Sequence, residues 1–234
     1  MNLNKKTART AGCWYLALAI TSGFGLLYVP TTIIEPGNAA ATANNIVANE
    51  LLYRFGIVCN LIGQTSFIFL VLTLYRLFKD VDKKHALFMV SLVVAAVPIV
   101  FLNTLNQIAP LLLLNGGEYL KVFEARQLQA QAMLFLDLYN HGISVVQIFW
   151  GLWLFPFGYL VFKSGFIPKI FGVLLIIACF GYIADSFNTL LFPDSREIAA
   201  VFAAAAGSVG EFSIILWLLI KGVKDQRIVA GEVS

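Results

Sequence analysis

Polar residues recur at helical spacing inside stretches that are otherwise apolar, and these are the groups able to do chemistry. Asp137, Asn140, His141 and Ser144 stand at i, i+3, i+4 and i+7, Asn103, Asn106 and Gln107 at i, i+3 and i+4, and Asp185 and Asn188 three apart. Such spacings put each set on one helical face. Arg54 lies near the start of another apolar run, and Glu211 lies deep within a further one. Amide, imidazole and carboxyl groups converging in this way can hold a small polar ligand, and Asp185, His141 and Glu211 are of types that give or take protons. Glu211 is expected to have Gln64, Asn60 and Gln147 as neighbours and no cation at its level. A bare buried charge is costly, so this deeper acid is expected to be neutral or linked to water.

Other chemistries are missing. The chain has no Gly-rich phosphate loop, no H-E-x-x-H and no G-x-S-x-G elbow, and Lys163-Ser164-Gly165 has no histidine at hand. The two histidines, His85 and His141, fall toward opposite ends of the runs, which excludes a haem held by both. Cys13, Cys59 and Cys179 sit singly in separate apolar runs and read as small buried hydrophobes. No metal set and no cofactor is therefore expected, and no catalytic set is assigned. The 16 Lys and Arg against 13 Asp and Glu leave a net charge of only +3, too scattered for a nucleic-acid surface.

The elements that must position these groups follow from composition. Hydrophobic residues make up 59% and charged residues 12%, whereas a soluble domain is nearer one quarter charged. Mean hydropathy is +0.83. Charges and turn residues divide the chain into apolar runs at 11–34, 51–78, 86–114, 138–162, 168–191 and 198–221. Each is near the length of about 20 residues needed to cross a bilayer as a helix, and none alternates as a strand would. The expected fold is all-α: a polytopic membrane bundle of six transmembrane helices forming one domain over residues 1–234.

Basic residues set the expected orientation. Lys5, Lys6, Arg9, Arg76, Lys79, Lys83, Lys84, Lys163, Lys169, Lys221, Lys224 and Arg227 fall on one side of a six-span path, with Arg54, Lys121, Arg126 and Arg196 on the other. By the positive-inside rule both termini are cytoplasmic. The first run is longer than a signal-peptide core, so an uncleaved first span is expected. Residues 80–85 and 164–167 read as tight inner turns, with Pro168 at the first helical position. Asn38 is a candidate N-cap for a helix running on into the second span. The stretch 118–136 is either a helix at the outer membrane surface or an extension of span four.

At about 1.5 Å per residue, Arg54 and Asp185 lie within roughly 10 Å of the outer ends of their helices, at the level of Asn103 to Gln107 and Asn140 to His141. A polar pocket in the outer half is the arrangement expected, with Arg54 and Asp185 either a structural ion pair or part of a ligand site. His141 reads as a core histidine or as a ligand group. Trp150, Trp153 and Phe157 form a packing stripe or a wall for a lipid tail or isoprenoid, and Gly207 and Ser208 permit close helix approach beside Glu211.

Several strings together resemble one bacterial membrane family, that of domain of unknown function 4386. They are Arg9-Thr10-Ala11-Gly12, Tyr28-Val29-Pro30, the loop from Pro36-Gly37-Asn38 to Ala43, Gln147-Ile148-Phe149-Trp150-Gly151-Leu152-Trp153-Leu154, Lys163-Ser164-Gly165-Phe166-Ile167-Pro168 and Gly181-Tyr182-Ile183-Ala184-Asp185-Ser186. The resemblance implies the membrane topology and no activity. Many relatives carry histidine where this chain has Trp153, which argues against histidine chemistry at that position here. Three functions stay open: binding or transport of a small polar or amphiphilic ligand, a membrane interaction or regulatory subunit without a ligand, and an intramembrane enzyme acting on a lipid or isoprenoid. The expected location is the cytoplasmic membrane of a prokaryote, with the lipid bilayer as partner and no nucleic acid.

Overall fold

Continuous apolar runs make helices, and proline, glycine, asparagine and charged residues mark most of the breaks between them. The computed structural model describes residues 3–192 and 196–223, and regular structure among them is entirely helical. The helices are α1 Leu3–Ser22, α2 Val29–Ile33, α3 Ala39–Ala48, α4 Glu50–Phe78, α5 Lys83–Leu114, α6 Ala125–Leu152, α7 Leu154–Ser164, α8 Lys169–Leu191 and α9 Arg196–Ile220. Between α1 and α2 the rod widens into a π turn, Gly23–Tyr28. Pro30 causes this: it lacks an N–H, and the Val29 N–H reaches five residues back to the Phe24 carbonyl.

The outer connections correct the expected boundaries. Asn38 caps α3 as foreseen, its Oδ1 accepting from the Ala41 N–H at 3.0 Å. The helix does not run on into α4, however, because Asn49 leaves helical geometry (φ −120°, ψ 36°) and its side chain donates to the Asn45 carbonyl. In the 118–136 stretch, Glu118–Leu120 is one 3-10 turn, and the helix begins at Ala125 behind a capping box of Glu124 and Gln127. The extension of span four is therefore what forms, and it replaces a surface helix. Pro168 stands one position earlier than expected, as the N-cap of α8.

Five helical rods are long and apolar enough to cross a membrane: Asn4–Ile33, Glu50–Phe78, Lys83–Leu114, Ala125–Ser164 and Lys169–Leu191. A shorter apolar stretch, Gly207–Ile220, lies in α9. The exterior of the bundle is apolar, unlike that of a soluble protein, while the interior holds an apolar core with buried amides among it. Leu102 is 68% exposed and Phe180 61%, while Gln107 is 2% exposed. A surface of exposed Leu and Phe around buried amides is stable in hydrocarbon and not in water.

Small residues let the rods approach. A Cβ on Gly158 of α7 would lie 2.6 Å from the Gly172 carbonyl of α8, and one on Gly56 would meet Val29 at 3.0 Å. The main core is aromatic, centred on Trp153. Its ring lies 4.9 Å from Phe67, 5.3 Å from Phe157 and 5.8 Å from Tyr15, which joins α1, α4 and α7.

Candidate functional site

Two polar groups occupy the interior, and each keeps one buried oxygen without a hydrogen-bond partner, Asn60 Oδ1 in the first and Asp185 Oδ1 in the second. The first ties α4, α5 and α6. Tyr53 Oη donates to the Gln107 carbonyl at 2.7 Å, and Asn60 Nδ2 donates to Gln107 Oε1 at 3.3 Å and to Tyr139 Oη at 3.1 Å. Asn103 Nδ2 donates to the Tyr139 carbonyl at 2.9 Å, and Asn106 Nδ2 to Asn103 Oδ1 at 3.0 Å. Gly142 and Gly25 bring backbone hard against Asn103 and Asn60, where a Cβ would collide. These amides bond to one another, so they act as interhelical ties.

The second group is a line of acids and phenols across α1, α6, α8 and α9. Tyr15 Oη donates to Glu211 Oε2 at 2.6 Å, and Tyr182 Oη donates to Glu211 Oε1 at 2.8 Å. Gln147 Nε2 donates to Asp185 Oδ2 at 2.7 Å and to the Tyr182 carbonyl at 3.3 Å. Ser186 Oγ donates to the Ser144 carbonyl beside it. The other Asp185 oxygen, Oδ1, is buried and has no hydrogen-bond partner. Neither acid has an ion pair among the described residues. Counting about 1.5 Å per residue from the lysine-rich end, Glu211 lies about 14 Å in along α9 and Asp185 about 24 Å in along α8.

The expected outer pocket is brought together only in part. Asn103, Asn106 and Gln107 meet, but with Asn60, Tyr53 and Tyr139. Arg54 pairs with Glu50 at 2.6 Å on its own helix, with its side chain 52% exposed, and not with Asp185. Asp137, Asn140 and His141 are exposed on α6, and Asn188 is half-buried. An i,i+4 carboxylate costs Arg54 less ordering than a reach to another helix. Gln64 is buried with an unbonded Oε1, while the partners of Glu211 are the two tyrosines. Sequence reasoning missed Tyr15, Tyr53, Tyr139 and Tyr182 by counting aromatics as packing. The available signal was the phenol itself, since a tyrosine inside an apolar run must find a partner for its hydroxyl.

A third cluster lies at the lysine-rich end, outside the spanning segments. Asp82 in the α4–α5 turn accepts from Lys163 Nζ at 2.9 Å and from the His85 N–H at 3.2 Å, capping α5. Hydrogen bonding from Lys163 first, and from His85 second, holds its carboxyl well below the usual carboxylate range. No three His, Cys, Asp or Glu side chains gather as metal ligands among the described residues.

Long rods with apolar outer faces, packed around an apolar core that holds a few buried polar groups, define a multi-span helical membrane protein. The chain belongs to the family of domain of unknown function DUF4386, whose model matches residues 10–222. It is also 41% identical over 83 residues to an uncharacterised protein of Archaeoglobus fulgidus, a match that takes in 36% of this chain and 48% of that protein. The matched region thus spans about half the length of that relative. No solved structure matches the chain.

Proposed function

We propose that the protein binds or transports a small polar or amphiphilic ligand bearing a cationic N–H group, and that Asp185 receives it. The observation that carries this reading is the buried Asp185 oxygen that lacks a hydrogen-bond partner beside an acid with no paired cation. A bare carboxylate in a span costs roughly 2.5–3.5 kcal/mol, which a bound ammonium group offsets. Half-buried Trp150, three residues beyond Gln147 on the same face of α6, supplies an aromatic face for an amphiphilic ligand. The site thereby moves from the level of Arg54 and His141 to the line from Asp185 to Glu211.

In this reading α9 is the sixth span, residues 1–234 form one domain in the cytoplasmic membrane of a prokaryote, and both termini lie in the cytoplasm, an orientation that the distribution of basic residues favours. Thermal-shift measurements on the purified chain with benzylamine, glucose and benzoate test the ligand class. Benzylamine is expected to stabilise the native chain and not Asp185→Asn, and stabilisation by glucose or benzoate alone would reject the cationic ligand. The bonds that Asn103, Asn106 and Gln107 make to one another and to Asn60, Tyr53 and Tyr139 favour an architectural role for these three amides.

A further inference from the structure

Glu211 uses both carboxyl oxygens as acceptors, one for each phenol. That count suits an ionised carboxylate, which accepts from both phenols at full strength; a protonated acid keeps some acceptor capacity but adds an O–H that needs an acceptor of its own, so the hold on the phenols weakens. The triad therefore ties α1, α8 and α9 in one protonation state and loosens them in the other. The same α8 carries Asp185 three residues beyond Tyr182, and Gln147 Nε2 holds both Asp185 Oδ2 and the Tyr182 carbonyl. Glu211 and Asp185 are thus joined through one tyrosine and one amide.

We propose that Glu211 is a proton site coupled to the ligand at Asp185, so that a bound cation and a proton on Glu211 oppose each other. The inference rests on the reading of Asp185 as the ligand site. A positive charge at Asp185 favours the ionised Glu211, whose proton leaves from a carboxyl oxygen to water; proton uptake re-forms that O–H bond and weakens the hold on the cation. Linkage makes the two effects equal. The groups facing Glu211 are Tyr15 from α1 and Tyr182 from α8, with Asp185 one turn further on. Arg9 of α1 lies toward the helix end and donates to the Ile220 carbonyl. No other charged side chain of α1 or α8 bonds to Glu211 among the described residues.

Calorimetry of benzylamine binding to the full chain in nanodiscs, in buffers of different ionisation enthalpy, tests the coupling. At a pH near the midpoint of the infrared titration, where part of the Glu211 population carries a proton, the native chain is expected to release more protons per bound amine than Glu211→Gln, and that variant to bind about 5-fold more weakly or worse. Equal affinity and equal proton release would overturn the coupling. Infrared titration without any amine tests the proton site by itself: a protonated-acid carbonyl band is expected on acidification, absent in Glu211→Gln and with its midpoint moved in Tyr182→Phe, which keeps the acid. Absence of the band from the native chain overturns the proton site. Failure of benzylamine to bind the native chain overturns the ligand reading, and the coupling with it, whatever the infrared titration gives.

Discussion

Glu211 and Asn60 are both buried polar residues, yet their bonds differ in strength. Asn60 donates to neutral acceptors, and such ties within membranes average about 0.6 kcal/mol because the unfolded helices also find partners. Tyr15 and Tyr182 donate to a carboxyl, and hydrogen bonds to charged groups are worth about 1.5–3 kcal/mol. Tyr15 is also fully buried, so no water replaces its hydroxyl. Tyr15→Phe is therefore expected to destabilise the chain by about 1.5–3 kcal/mol, and Asn60→Ala by about 0.6–1.7 kcal/mol through its hydrogen bonds alone. Unfolding in mixed micelles, followed by circular dichroism, measures both. A Tyr15→Phe loss no larger than that of Asn60→Ala would mean that Glu211 holds its phenols as a neutral group. The acids and amides were legible as polar residues in apolar runs, but their partners were not. A hydroxyl on an aromatic ring carries the same periodicity as phenylalanine.

At the scale of elements, the turns at the lysine-rich end are fastened through one residue. Asp82 caps α5 and receives Lys163 from the last turn of α7, which joins two hairpins that are far apart in sequence. Its folded-state carboxyl lies below the usual range, so the unfolded chain takes up a proton at a higher pH than the folded one. The stabilisation is accordingly complete above the usual carboxylate range and is lost as pH falls through the lower folded value. Melting temperatures of the native chain and Asp82→Asn are expected to differ by a constant amount from neutral pH to mildly acidic pH. The two are expected to converge only under strongly acidic conditions. Convergence already at mildly acidic pH would show that Lys163 does not hold Asp82. The N-cap at Asp82 is local chemistry, but the partner from α7 depends on how hairpins pack, which no spacing along the chain encodes. The same limit applies to Asn49: its backbone departs from the helix although the Ala-rich run before it favours continuation.

For the whole molecule, apolar runs of span length needed little beyond counting, because hydrocarbon admits only internally bonded backbone. Three of the expected runs, 51–78, 86–114 and 168–191, coincide with spanning rods to within three residues, and the first, 11–34, lies in a rod, Asn4–Ile33, that starts seven residues earlier. The fourth in chain order is longer than expected: α6 and α7 form one rod, Ala125–Ser164, because Trp153 keeps helical geometry (φ −66°, ψ −25°) between them. Charges such as Arg126 and Asp137 suggested a boundary, but charges end a span without ending a helix. Side-chain placement at 196–200, 202, 203 and 206 of α9 and the tail with Lys224 and Arg227 lie outside the described residues; the proposed sixth span rests on the apolar run 198–221 and the proposed orientation on charge asymmetry. Basic flanks bias insertion strongly when the connecting loops are short, as the 79–82 and 165–168 turns are. Cysteine-labelling in intact cells tests this in a background with Cys13, Cys59 and Cys179 replaced. A single cysteine at Lys83 or Lys221 is expected to resist an impermeant maleimide until the membrane is opened, whereas one at Lys121 is expected to react at once. Labelling of the Lys221 position together with Lys121 in intact cells would put the end of α9 outside and reduce the spans to an odd number. Labelling of Lys83 with protection of Lys121 would invert the whole bundle and reject the positive-inside assignment.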